Sequence, residues 1–88
     1  MVGYVYIIQS EKNSQYYIGS TNNVATRLAH HNAGRVVATR SKGPWIVKYQ
    51  QAYSTITEAR KIEYRLKKFK NRSILDRIIT DRIIKVGV

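Results

Sequence analysis

An α+β fold, with three antiparallel strands flanked by helices in the order β-β-α-β-α-α, is what the 88-residue sequence predicts. Three features carry that prediction. Two runs rich in aromatic and β-branched residues, 4–8 and 16–20, stand on either side of the turn-forming Glu11-Lys12-Asn13-Ser14. A third such run, 45–53, follows a Lys42-Gly43-Pro44 stop. Around it lie stretches whose apolar residues recur at helical spacing. The chain is expected to form one domain, 1–88, with most of its apolar residues in a single core.

The hairpin comes first. With a loop over 11–14, Ser10 faces Gln15, Ile8 faces Tyr17 and Tyr6 faces Gly19, so Tyr6 and Tyr17 share one face as diagonal neighbours. A one-residue slip would put them on opposite faces.

Asn22 or Asn23 then caps a helix running to about Asn32, where Asn32-Ala33-Gly34 is a C-terminal stop. Val24, Leu28 and His31 recur along it at i, i+4 and i+7, and Arg27 borders the same stripe, so both polar groups should face inward or sideways. Residues 35–43 form a basic loop before the third strand.

Thr55 followed by Glu58 matches a capping box, opening a helix with Ala59, Ile62, Leu66 and Phe69 on one stripe and Glu63 beside it. Its other side is a ridge of lysines and arginines. Ser73 is expected to cap a last helix to about Lys85, striped by Leu75, Ile79, Ile83 and Val86, with Ile84 off the stripe. The echo of Asp76-Arg77-Ile78-Ile79 in Asp81-Arg82-Ile83-Ile84 is too short for a structural repeat.

Composition narrows the function. There is no cysteine, so disulfides and thiolate zinc sites are excluded. Neither a signal peptide nor a membrane span is recognisable, and a cytoplasmic setting is the expectation. A formal charge of +11, from 16 Lys+Arg against 5 Asp+Glu, calls for a polyanionic partner, nucleic acid before any other. The two histidines are adjacent, which argues against a histidine-rich zinc site. No Ser-His-Asp set or glycine-rich phosphate loop is present.

Among the acids, Glu11 belongs to a turn, Glu58 to a cap and Asp76 to the first turn of a helix. Glu63 alone lacks a local role, unless it simply pairs with Lys67 at i+4. A nuclease built on this chain would thus hold one metal and draw the rest of its charge stabilisation from arginine, because two-metal cleavage needs several converging carboxylates. Arg27 suits that task, since a guanidinium can grip two phosphate oxygens. With an ordinary pKa near 10, Tyr6 or Tyr17 could act as a base only in an electropositive site, and otherwise would orient water or phosphate. As strand residues they could equally be core. His31 could assist proton transfer or finish the helix near its negative end.

Taken together, these residues resemble the GIY-YIG endonuclease domain, in particular its small stand-alone bacterial UPF0213-like type, and are similar to the nuclease half of the UvrC repair protein. Tyr4-Val5-Tyr6 stands for GIY, Tyr17-Ile18-Gly19 is a complete YIG, Arg27 lies in the family's first helix, and His31 sits where the family has His or Tyr. The stretch from Glu58-Ala59 to Glu63 looks like the second helix, whose glutamate binds metal. The resemblance implies hydrolysis of nucleic acid, DNA before RNA, with one divalent cation, Mg²⁺ or Mn²⁺. Tyr17, helped by Tyr6, would activate water, Arg27 would stabilise the transition state, and Glu63 would hold the metal.

Nucleic acid would be tracked by Arg35, Arg40, Lys42, Lys67, Lys68, Lys70 and Arg72. Gly19, Ser20 and Asn71 are accessory candidates, Ser20 standing where some relatives carry lysine and Asn71 where many use a polar residue to orient a tyrosine. A protein partner could supply specificity. The competing reading is a non-catalytic basic nucleic-acid-binding module of a repair or ribosomal assembly.

Overall fold

Alternating side chains make Gly3–Ser10 (β1) a central strand, because both of its faces find apolar cover. Val5, Tyr6, Ile7 and Ile8 are each at most 1% exposed. A computed structural model describes residues 2–69 and 71–85. Around β1 it places Tyr16–Thr21 (β2), Val24–Asn32 (α1), a single 3-10 turn at Val37–Thr39, Trp45–Tyr53 (β3), Ile56–Phe69 (α2) and Arg72–Asp81 (α3). The sheet is antiparallel in the order β2-β1-β3, so the architecture is the α+β arrangement expected.

The hairpin register is the one the turn residues imply, with Tyr6 opposite Gly19 and Ile8 opposite Tyr17. Against β3 the pairing shifts between Ile7 and Ile8, a local irregularity in an otherwise regular ladder. On one face, Val5, Ile7 and Ile18 pack with Ala59, Ile62 and Leu66 of α2 and with Ile78 of α3. On the other, Tyr6, Ile8 and Trp45 pack with Tyr17, Val24, Leu28 and Val47 beneath α1.

Asn23 caps α1, its side chain accepting from the Thr26 N–H at 3.0 Å, and Gly34 follows the helix at φ +77°, where a side chain would be strained. The Thr55 hydroxyl accepts from the Glu58 N–H at 3.1 Å at the start of α2. Among the described residues no helix is long and apolar enough to cross a membrane.

The last helix departs from its sequence pattern at both ends. Asn71, not Ser73, is the cap, its side chain accepting from the Ser73 N–H at 2.9 Å. The helix stops at Asp81, short of Lys85, because Arg82 turns left-handed at φ 58°. Two residues of β3 hold that exit. The Tyr49 hydroxyl donates to the Arg82 carbonyl at 2.7 Å, and the Gln51 side chain accepts from the Ile84 N–H at 2.8 Å. Leaving the helix exchanges two isoleucines: Ile84 is buried in the core at 5% exposure, whereas Ile83 is 44% exposed. Phe69 is also off the core, at 47%, one turn beyond the last buried α2 residue, Leu66. Val86 and Lys70 lie outside the described residues.

Candidate active site

Tyr6 sits at the middle of the site because β1 is the central strand and its partner opposite is a glycine. A Cβ at Gly19 would run into the Tyr6 phenol, with Cε1 only 2.8 Å away, so the small residue lets the ring lie flat across β2. The Tyr6 hydroxyl meets His31 Nε2 at 2.8 Å, and His31 Nδ1 meets Thr39 Oγ1 at 2.8 Å. All three side chains are about 1% exposed. Tyr17 closes the cluster, its ring 5.0 Å from that of His31 and 6.5 Å from that of Trp45.

The protons in this chain can be assigned. The buried Tyr6 proton needs an acceptor, and His31 Nε2 is beside it. His31 must then carry its own proton on Nδ1 and donate it to Thr39 Oγ1, whose hydroxyl in turn donates to the Val36 carbonyl at 3.4 Å. Each oxygen and nitrogen in the chain is satisfied by this one arrangement.

Electrostatics agree with it. Burial pushes the Tyr6 phenol up to about 12, partly opposed by Arg27. Burial, reinforced by Arg27 and His30, brings His31 down to about 4, so the imidazole is neutral at neutral pH.

Glu63 reaches the same neighbourhood from α2, since its charge acts on the Tyr6 phenol. Its carboxylate accepts from the Ser20 hydroxyl and is ion-paired with Lys67 at 2.6 Å. The i+4 pairing is therefore real, and Ser20 supplies a second local partner. The Lys67 ammonium also lies 5.3 Å from the centre of the Tyr17 ring, linking acid and tyrosine. Among the described residues no three His, Cys, Asp or Glu side chains gather to hold an ion. The donor set, one carboxylate beside a neutral hydroxyl, fits a hard cation that keeps most of its waters.

The remaining candidates divide by position. Lys67 and Arg72 border a groove beside Tyr17, together with Asn71. Asn71 spends its side-chain oxygen on capping α3. Lys68 lies on the outer side of α2, 4.9 Å from the Tyr64 ring centre. Arg35, Arg40 and Lys42 belong to the loop that also carries Thr39; Arg40 Nε donates to the Gly34 carbonyl at 3.0 Å. Thr39 itself escapes sequence reasoning, because a threonine in a basic loop has no periodicity to mark it. Tyr16 escapes too, overshadowed by its neighbour in the YIG string.

Comparisons with known proteins bear on this geometry. A family model described as the GIY-YIG catalytic domain matches residues 2–75. The UPF0213 protein of Staphylococcus haemolyticus is 40% identical over 76 residues, which are 85% of this chain and 92% of that protein. That of Halobacterium salinarum is 35% identical over 65 residues, 73% of this chain and 83% of its own length. The solution NMR structure of a UPF0213 protein from Bacillus halodurans superposes with a TM-score of 0.57 at 28% identity, covering 91% of this chain and 84% of that one. With a family model matching residues 2–75 and a UPF0213 relative 40% identical over 85% of its length, the chain belongs to the GIY-YIG family.

Proposed function

We propose that the protein is a metal-dependent endonuclease that hydrolyses DNA phosphodiester bonds, with Tyr6, Tyr17, Arg27, His31 and Glu63 as its reaction centre. Membership of a catalytic-domain family suggests a nuclease, and nucleases of that family generally use a divalent metal. The observation that carries the reading is the Tyr6 hydroxyl held on the buried His31, with Tyr17 against the same imidazole and Arg27 and Glu63 near enough for their charges to act on the phenol.

Roles follow from protonation. Tyr6, with its phenol pushed up to about 12 and its proton given to His31, is a poor base; Arg27 stands near enough for its charge to act on the phenol. Tyr17 is half-buried and opens on the groove beside Lys67, so it is the tyrosine that meets the attacking water and receives or steers its proton. Arg27 donates to the non-bridging oxygens as charge builds on phosphorus. Glu63, set by Ser20, would hold the cation, Mg²⁺ or Mn²⁺, which when bound polarises a phosphoryl oxygen as a Lewis acid. Thr39 acts through His31, fixing its tautomer and with it the direction of the Tyr6 proton.

Incubation of labelled single-stranded, duplex and branched DNA with Mg²⁺ or Mn²⁺ tests this. Cleavage by the protein and its loss in Glu63→Ala and Arg27→Ala are expected. One observation favours a second reading: the Lys67 ammonium already neutralises Glu63, as a non-catalytic binder would need. Binding across all three substrates without any cleavage would establish that alternative.

A further inference from the structure

Beside Tyr17, away from the buried chain of Tyr6, His31 and Thr39, runs a groove of about 360 Å³ between β2, the last turn of α2 and the start of α3. Ile18, Leu66 and Leu75 give it an apolar floor, and Tyr16, Lys67 and Arg72 its walls. Its size is in the range that takes a small planar ligand.

Its aromatic wall is preassembled. The Tyr16 hydroxyl donates to Asp76 at 2.6 Å, which fixes the ring, and the Arg72 guanidinium lies 4.3 Å from that ring's centre. A guanidinium stacked on a tyrosine keeps its second face for another flat partner. Arg72 is exposed, so that face is open to solvent. Asp76, which holds Tyr16, carries one negative charge at this wall, and the Arg72 guanidinium over the same ring sets a positive charge beside it. At the end of the groove nearest Tyr17 stands the Lys67 ammonium, ion-paired with Glu63 at 2.6 Å and relieved of that partner in Glu63→Gln.

Resting on the nuclease reading of the neighbouring site, we propose that this groove seats one unstacked nucleotide adjoining the scissile phosphate, with its base on the Arg72–Tyr16 stack and its phosphate on Lys67. The charge favours nucleic acid over a peptide, since the chain carries a formal +11 and the groove's two cations stand at one end and one wall of an apolar floor. Base stacking on an arginine plane is tolerant of sequence but requires a base that has left its duplex. A paired base cannot enter. The groove thus selects unpaired or locally melted strands without reading base identity.

The test separates base from charge. The Glu63→Gln protein, used without metal so that nothing is cut, is titrated by fluorescence anisotropy with labelled oligothymidylate of about eight nucleotides and with an abasic strand of equal length and charge. The base-bearing strand should bind about tenfold tighter. Adding Arg72→Lys, which keeps the charge but removes the plane, should bring the two strands to equal affinity while leaving the salt slope unchanged. Tyr16→Leu should equalise them as well. Equal affinities without either groove substitution, or a base preference that survives Arg72→Lys, overturns the proposal while leaving the nuclease reading in place. Failure of either strand to bind even at low salt overturns both.

Discussion

Tyr6 has two neighbours and one proton, and the direction of that proton organises the site. The Thr39 hydroxyl, donating to the Val36 carbonyl, accepts from His31 Nδ1 and so leaves Nε2 free to take the phenol's hydrogen. Thr39→Val, nearly equal in shape, should leave the Nδ1 hydrogen without an acceptor and cost about 1–3 kcal/mol of stability. Nitrogen-15 NMR of the ring should show the tautomer shifting in Thr39→Val and preserved in Thr39→Ser; an unchanged spectrum in the valine variant contradicts the assignment.

Acid offers a second check at this scale. The unfolded chain, with an ordinary imidazole near 6.5, takes up a proton that folded His31, at about 4, does not. Stability contributed by His31 is therefore present above pH 6.5 and declines as the pH falls toward 4. His31→Gln should flatten that limb in denaturant titrations at successive pH values. Tyr6 gives the opposite sign at the basic end: its contribution is present below pH 10 and is lost as the pH rises through about 12. Little of this was readable beforehand. Tyr6, Tyr17, Arg27, His31 and Glu63 stand out by type and spacing, but a hydroxyl that tunes a histidine from a loop leaves no pattern in the chain.

Among the elements, the hairpin was legible to the residue because its turn is short and its two faces differ, so that only one register buries Val5, Ile7 and Ile18 together. The third helix was legible in its middle and not at its ends. Asn71 and Ser73 are both good caps, and the repeated Asp-Arg-Ile-Ile string extends the helical period beyond the point where the backbone leaves it. Arg82 breaks the helix without the glycine that usually announces a left-handed cap, supported instead by Tyr49 and Gln51. The consequence is measurable. Ile84→Ala should cost about 2–4 kcal/mol, as a buried large-to-small change, while Ile83→Ala should cost less than about 1 kcal/mol. Equal losses in chemical denaturation would return both residues to one helical stripe.

For the molecule as a whole, a +11 charge on so short a chain predicts that nucleic-acid affinity falls steeply with salt, because each phosphate contact releases counterions. A flat salt response in a binding titration contradicts a surface organised around phosphates. Charge alone, however, describes a binder as well as an enzyme; what separates the two is whether Arg27 and Glu63 act on a phosphate that the tyrosines present to them. The direct measurement is cleavage of labelled DNA in Mg²⁺ or Mn²⁺ by the unaltered protein, Arg27→Ala and Glu63→Ala, with thermal melting run alongside. The expected result is cutting by the unaltered protein and at least a ~100-fold loss in each variant, with melting temperatures within about 4 °C of one another. Cleavage retained by both variants, or binding with no cleavage by any of the three, would contradict the active site described.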